Sequence, residues 1–159
     1  MSFTNQLHYK PQWLHIIWTS QDFRPWIPKG KDSLLVRQIH KACRQQGIYL
    51  DLAAGHDQHI HLLVRPHTQK LAEQLRTLVS YQSRRFMYRH LPSDISSQIT
   101  LVDWVKTIRH QELGVIRRHL LRQEKIHENM SFEEELQSLG MTQPNDTCVI
   151  WGDIYLVSA

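Results

Sequence analysis

The spacing most able to do chemistry in this chain is His59-Ile60-His61. It opens the run HIHLLVR, which Pro66 ends and which reads as a strand. Residues two apart in a strand point to one face, so His59 and His61 project together while Ile60 and Leu62 turn to a core. Two imidazoles at that spacing can hold one divalent ion. An H-x-H pair alone is a weak signal and more often the solvated face of a strand, because the chain holds eleven histidines. A second pair adds weight. His119 and Gln123 lie four apart in VIRRHLLRQ, so they share a helical face. A helix packed on the open face of a sheet can aim both at His59 and His61, with Gln123 supplying a third, neutral oxygen ligand.

The elements that must position these residues follow from periodicity and punctuation. Trp13 to Thr19 is an apolar, aromatic run that reads as a strand, and Pro25 and Pro28 mark the loop after it. Residues 32–46 carry Leu35, Ile39, Ala42 and Cys43 at helical spacing, with Asp32 or Ser33 as cap and Gly47 as terminator. Tyr49 to Ala54 is a short strand, Gly55 begins a turn, and His59 to Arg65 is the next strand. A long helix covers roughly 69–90 through Leu71, Leu75, Leu78, Val79 and Phe86, and Leu91-Pro92 stops it. Ser93 to Ser97 reads as a polar loop and Ile99 to Lys106 as a fourth strand. Residues 111–128 read as one helix with Val115, Leu120 and Leu121 inside. Ser131-x-x-Glu134 resembles a capping box opening a short helix that Gly140 ends. Cys148 to Trp151 is a candidate last strand. The order β-α-β-β-α-β-α implies an α+β fold: a split β-α-β, ferredoxin-like antiparallel sheet with helices on one face. No repeat or linker divides residues 1–159, so one domain is expected.

Composition narrows the partners. Hydrophobic residues make up 41% and charged residues 21% of 159, enough apolar material for one core. A net charge of +4 and a pI near 9.2 favour polyanions. Arg84, Arg85 and Arg89 cluster at the end of the long helix beside Tyr81 and Tyr88, and Arg117, Arg118 and Arg122 flank the His119/Gln123 pair. Each arginine can meet a phosphate, and the tyrosines can pack or stack on bases. The alternative for each cluster is a solvated helix face. Cys43 and Cys148 have no C-x-x-C spacing, which excludes a zinc knuckle or a redox pair and suggests free packing thiols. MSFTNQLHYK has no apolar signal core, and no window approaches a membrane span, so a cytoplasmic setting is expected. His40, His56, His67, His90, His110 and His127 have no evident partner and read as surface.

These residues resemble a known family. HIHLLV, preceded by a polar turn, is similar to the H-hydrophobe-H motif of the single-tyrosine HUH transposases of the insertion-sequence 200/605 family. WLHIIWTSQDFRPWI resembles the family's first strand and following loop, and YQSRRFMYRHLP its helix of serine and basic residues ending near a proline. IRRHLLRQEKIHENMSFEEEL resembles its closing segment, and the likeness spans roughly residues 8–139, leaving 140–159 as a C-terminal tail. The resemblance implies cutting and rejoining of single-stranded DNA at hairpin-marked ends, in a homodimer. It implies Mg2+ or Mn2+ held by His59, His61 and Gln123 to polarise the scissile phosphate. It also implies a helix-borne tyrosine that attacks to leave a 5′-phosphotyrosine and a free 3′-OH.

Three features depart from that pattern. The nucleophile position, four before Gln123, holds His119, which has no hydroxyl. The stretch from Trp104 to His119 is shorter than in the family, and the turn reads Asp57-Gln58 where proline followed by Asp or Asn is usual. Three readings stay open: a protein that binds ion and hairpin DNA without cutting, a nucleophile relocated to Tyr81 or Tyr88 on the long helix, or a nicking nuclease that uses water with His119 as base or extra ligand. A two-histidine phosphoesterase is disfavoured because no H-x-[ST] motif occurs.

Overall fold

The computed structural model describes residues 10–141. Its chain order is β1 (Trp13–Ser20), α1 (Asp32–Gln45), β2 (Tyr49–Gly55), β3 (His59–Arg65), α2 (Gln69–His90), α3 (Ser93–Ser96), β4 (Leu101–Ile108), a 3-10 turn at His110–Glu112, α4 (Leu113–Leu120), α5 (Gln123–His127) and α6 (Phe132–Ser138). The four strands form one antiparallel sheet in the order β2-β3-β1-β4. This is the split β-α-β arrangement anticipated from the order of the elements. The apolar runs of β1 and β3 are explained by their central places, covered on both faces.

Strand alternation sorts the core. Leu14, Ile16 and Trp18 of β1, Ile60, Leu62 and Val64 of β3 and Val105 of β4 face α1 and α2 and form the main cluster with Leu35, Ile39, Leu75, Val79 and Phe86. The opposite face carries Ile17, Leu63, Trp104 and Ile108, which meet Leu113, Ile116, Leu120, Phe132 and Leu136. The two long helices share one face, as expected. The short C-terminal helices take the other, so helices cover both. Their apolar positions leave no alternative, because the α1/α2 face is already filled.

Four local expectations change. Ser93–Ser96 forms a helical turn instead of a loop, with the Ser96 and Ser97 amides bonded back to Pro92 and Ser93. The fourth strand runs two residues later, because its ladder follows β1 from Leu101 opposite Ser20 to Ile108 opposite Trp13. Lys31, not Asp32 or Ser33, precedes the first turn of α1. Asp32 lies within that turn, where its charge favours the helix dipole. The helix expected over 111–128 is broken at Leu121 and Arg122, where Arg122 leaves helical geometry at φ −113, ψ 19. Leu113, Ile116 and Leu120 of α4 face the sheet, while Val115 and Leu121, expected inside, point outward. Leu120 is 1% exposed and its neighbour Leu121 71%. Leu120→Ala should therefore cost about 2–5 kcal/mol in denaturant unfolding, and Leu121→Ala no more than about 0.5 kcal/mol. Equal costs would refute this phase.

The remaining punctuation matches. Thr68 caps α2 by accepting from the Leu71 amide at 3.1 Å, and the Ser131/Glu134 capping box opens α6. Gly47 and Gly140 follow their helices at φ 71. Cys43 is buried and free, and burial raises its thiol to about 11, as suits a packing residue. No helix among the described residues is long and apolar enough to cross a membrane. The Cys148–Trp151 strand lies outside the described residues.

Candidate metal centre on the C-terminal helix face

His59 and His61 lie opposite Thr19 and Ile17 of β1, so they share the face covered by α4, α5 and α6. Without those helices they would be solvated. With them both are fully buried. The break after α4 re-aims the chain so that α5 starts on Gln123, which is also buried. α6 turns Phe132, Glu135 and Leu136 inward at i, i+3, i+4 spacing and leaves Glu133 and Glu134 in solvent.

One carboxylate sits among four imidazoles. Glu135 Oε1 lies 2.9 Å from His61 Nε2 and 2.6 Å from His119 Nε2. Its Oε2 lies 3.2 Å from His59 Nε2 and 2.7 Å from His127 Nε2. Gln123 donates from Nε2 to Glu135 Oε1 at 2.6 Å and places its own Oε1 2.9 Å from His59 Nε2. Behind this cluster, His61 Nδ1 meets His15 Nε2 at 2.9 Å. His127 Nδ1 meets the Met130 carbonyl at 3.1 Å, which leaves its Nε2 directed at the carboxylate. His59 stacks on Phe132, with ring centroids 4.1 Å apart.

Charge follows position. Burial alone would raise the pKa of Glu135. The close approach of the His119, His127, His59 and His61 imidazoles overturns that and holds it far below the usual carboxylate range. Burial lowers His59 to about 4, against the opposing pull of Glu135, and lowers His61 for the same reason. Burial also holds His15 well below its ordinary value. His127 moves the other way, because the adjacent Glu135 carboxylate outweighs the burial that would lower it. His59 and His61 are therefore neutral, the form in which imidazole ligates.

The donor set fits a divalent cation. Ligand atoms from His59, His61 and Glu135 lie within 4.8 Å of one another. Several of the short approaches are not aligned as hydrogen bonds: His61 Nε2, His127 Nε2 and Glu135 Oε2 are buried with no hydrogen-bond partner. Buried polar atoms are costly when unpaired, and lone pairs converging without a proton between them are what an ion requires. Separations near 3 Å match neighbouring ligands around an ion that holds each at about 2.1 Å.

The structure brings together His59, His61, His119 and Gln123, although the broken helix means that His119 and Gln123 meet through Glu135 and not along one continuous face. It does not bring Tyr81 to them. Tyr81 lines a groove with Trp18, Arg84, Arg85 and Tyr88, and Trp18 faces away from Ile17 and Thr19, so the sheet stands between Tyr81 and the cluster. Arg117 is also placed differently from the expected phosphate contact. Its guanidinium makes a two-point pair with Asp51, at 2.8 and 3.2 Å. Arg118 and Arg122 are exposed, as are Arg84, Arg85 and Arg89.

Three cluster members were not singled out from the sequence. His127 reads as surface but is buried against Glu135. Its signal was a 119/123/127 stripe, four residues apart twice. Glu135 is hidden in an acidic run, and its signal was a place on the Phe132/Leu136 face. His15 lies in an apolar strand, two residues from the position opposite His61.

Residues 8–100, more than half of the chain, match the family described as Transposase IS200 like. The chain belongs to this family. Among solved structures, the IS200-like chain resembles one from Deinococcus radiodurans R1 described as a transposase. The two share 16% identity at TM-score 0.54, over 77% of this chain and 98% of that one. It also resembles a REP-associated tyrosine transposase bound to a REP hairpin, with 15% identity at TM-score 0.50, over 76% of this chain and 68% of that one. At these identities the likeness is one of fold. No curated protein matches the chain.

Proposed function

We propose that this IS200-like protein is a metal-dependent, single-stranded-DNA-handling transposase relative that cuts hairpin-containing DNA with water as the attacking group. The observation that carries the reading is the buried convergence of His59, His61, Gln123 and Glu135, in which His61 Nε2 and Glu135 Oε2 have no hydrogen-bond partner. A bound Mg2+ or Mn2+ would supply Lewis acidity at a phosphate oxygen. His119 is the cluster ring that reaches solvent, being 17% exposed where Glu135 is 0%. Its Nε2 is tied to Glu135, so Nδ1 is the nitrogen left to accept the proton of an attacking water, and Glu135 steadies the imidazolium that forms. The phosphorus–oxygen bond opposite the attacking water then breaks, and the leaving oxygen takes up a proton from solvent.

DNA contact is assigned to the exposed arginines and the groove on the opposite face. Arg84, Arg85, Tyr81 and Tyr88 line a cavity of about 670 Å3 there. Its aromatic and guanidinium groups suit bases and phosphates. The hairpin bound by the solved relative supports a hairpin ligand. Arg89 lies beside Arg85 in the adjoining groove, while Arg118 and Arg122 are exposed on the metal-centre side. Affinity for a single-stranded hairpin should fall steeply with salt, and Arg84→Ala with Arg85→Ala should flatten the slope of log affinity against log salt by about 0.7 for each phosphate no longer neutralised. An unchanged slope would remove these residues from the interface. The homodimer belongs to the same reading, with β4 as an open sheet edge among the described residues.

The deciding experiment incubates the protein with an end-labelled hairpin and Mn2+ and resolves the products on a denaturing gel. Cut DNA with no covalent protein band, lost in His119→Ala, is the expected result. A covalent band would overturn water as nucleophile. Intact DNA that is still bound would favour the second reading, a hairpin-binding protein without cleavage, which the missing hydroxyl at His119 favours.

A further inference from the structure

A histidine that ligates through Nε2 must carry its single proton on Nδ1, and in a buried site that N–H needs an acceptor. For His61 the group at Nδ1 is His15 Nε2, 2.9 Å away, with the two rings stacked at 24° between planes. Both rings are fully buried, so water does not replace the contact. Two proton placements satisfy it. In one, His15 Nε2 donates to His61 Nδ1, and His61 Nε2 then carries a proton that covers its lone pair. In the other, His61 Nδ1 donates to His15 Nε2, His61 Nε2 is bare, and His15 holds its proton on Nδ1. The second is the one in which His61 can ligate. His61 Nε2 has no hydrogen-bond partner despite lying 2.9 Å from Glu135 Oε1, which is the geometry of a lone pair aimed past the carboxylate.

We propose that His15 is a positioning residue for the metal centre, accepting the Nδ1 proton of His61 and so holding His61 in its metal-ligating tautomer. The assignment accounts for a histidine at the middle of a central apolar strand, where Leu14, Ile16 and Ile17 around it are all apolar and buried. It also has a visible cost: His15 Nδ1 is buried with no partner, and in the ligating arrangement that atom bears a proton. Loading the centre therefore transfers one proton within the pair, from His61 Nε2 to His15 Nδ1 overall, with no net charge change in either ring. The inference rests on the metal reading of the cluster.

The test compares Mn2+ binding by calorimetry in wild type, His15→Phe and His15→Gln. Phenylalanine keeps the ring volume without an acceptor, and the glutamine oxygen can take the place of Nε2. The expected result is a 10–100-fold loss of affinity in His15→Phe and recovery to within about threefold in His15→Gln. Metal-free melting should be alike in the two variants. Equal Mn2+ affinity in His15→Phe and wild type, or equal weakness in the two variants, would overturn the role of His15. No Mn2+ binding in wild type would overturn the metal reading itself. A second measurement needs no variant. Long-range 1H–15N spectra of the Zn2+-loaded protein should show His61 protonated at Nδ1 and His15 unprotonated at Nε2. A proton on His15 Nε2 in that state would overturn the inference even where the variants fail to fold.

Discussion

His59→Ala should abolish both metal binding and metal-dependent DNA cutting while leaving hairpin affinity within about twofold. His59 Nε2 faces the Gln123 oxygen at 2.9 Å and Glu135 Oε2 at 3.2 Å, so its removal deletes a nitrogen ligand that stands between both. Lewis-acid stabilisation of a phosphoryl transition state is worth several kcal/mol. At about 1.4 kcal/mol per factor of ten, the cutting rate should fall by roughly three orders of magnitude. The same variant separates site from fold through stability. An ion present at 100 times its dissociation constant stabilises the folded state by about 2.7 kcal/mol. For a domain of this size that is a rise of roughly 5–10 °C in Tm. Wild type should show that rise on adding Mn2+ and lose it on adding a chelator, and His59→Ala should show neither. Hairpin affinity should persist because the arginine groove lies across the sheet from His59. Cutting that survives in His59→Ala would remove the metal centre from the chemistry. Lost hairpin binding would instead mean that the two faces are not independent.

How far the site was legible depends on which period governs each residue. His59 and His61 could be read directly, because a strand's period of two is rigid and β3 is a short, uninterrupted strand. Gln123 and His119 were legible as a pair, but for an incomplete reason. Their spacing fits a continuous helix, whereas the chain breaks at Leu121–Arg122 and the two side chains converge on Glu135. Nothing in the local pattern marks a break there: Leu113, Ile116, Leu120, Gln123 and His127 keep the spacing of one unbroken helical stripe. Glu135 was obscured by its neighbours. Glu134 completes the capping box and Glu133 favours the first turn, so an acidic FEEEL run already has a local explanation. Only the phase set by Phe132 and Leu136 separates the third glutamate from the other two. His127 and His15 depended on tertiary placement, because each acts through a partner far along the chain or through a backbone carbonyl. The sheet order was legible because the alternation of strands and helices leaves few topologies. The second layer of short helices was not, because their apolar faces are two or three residues wide.

The last expectation bears on the residue that departs most from the family pattern. His119→Tyr should give a covalent protein–DNA intermediate that is not expected of wild type. The side chain at 119 reaches the centre, its Nε2 lying 2.6 Å from Glu135 Oε1, and it is the partly solvent-exposed member of the cluster. A phenol at that position extends further than an imidazole and brings its oxygen to the mouth of the same site. Its oxygen would attack phosphorus, the upstream 3′-oxygen would leave with a proton from solvent, and the downstream fragment would remain on the protein as a 5′-phosphotyrosine. The expected readout is a denaturant-stable protein–DNA band that carries a 3′-end label and not a 5′-end label, requires Mn2+, and is absent from wild type and from a His59→Ala, His119→Tyr double variant. The substitution also removes one of the four imidazoles that hold Glu135 ionised, but His59, His61 and His127 remain at 3.2, 2.9 and 2.7 Å. Metal affinity should therefore change far less than in His59→Ala. A band that forms without Mn2+ would detach the tyrosine chemistry from the centre. Metal binding without any band would show that position 119 is not in line with the phosphate, leaving water, with the base next to Glu135, as the attacking group.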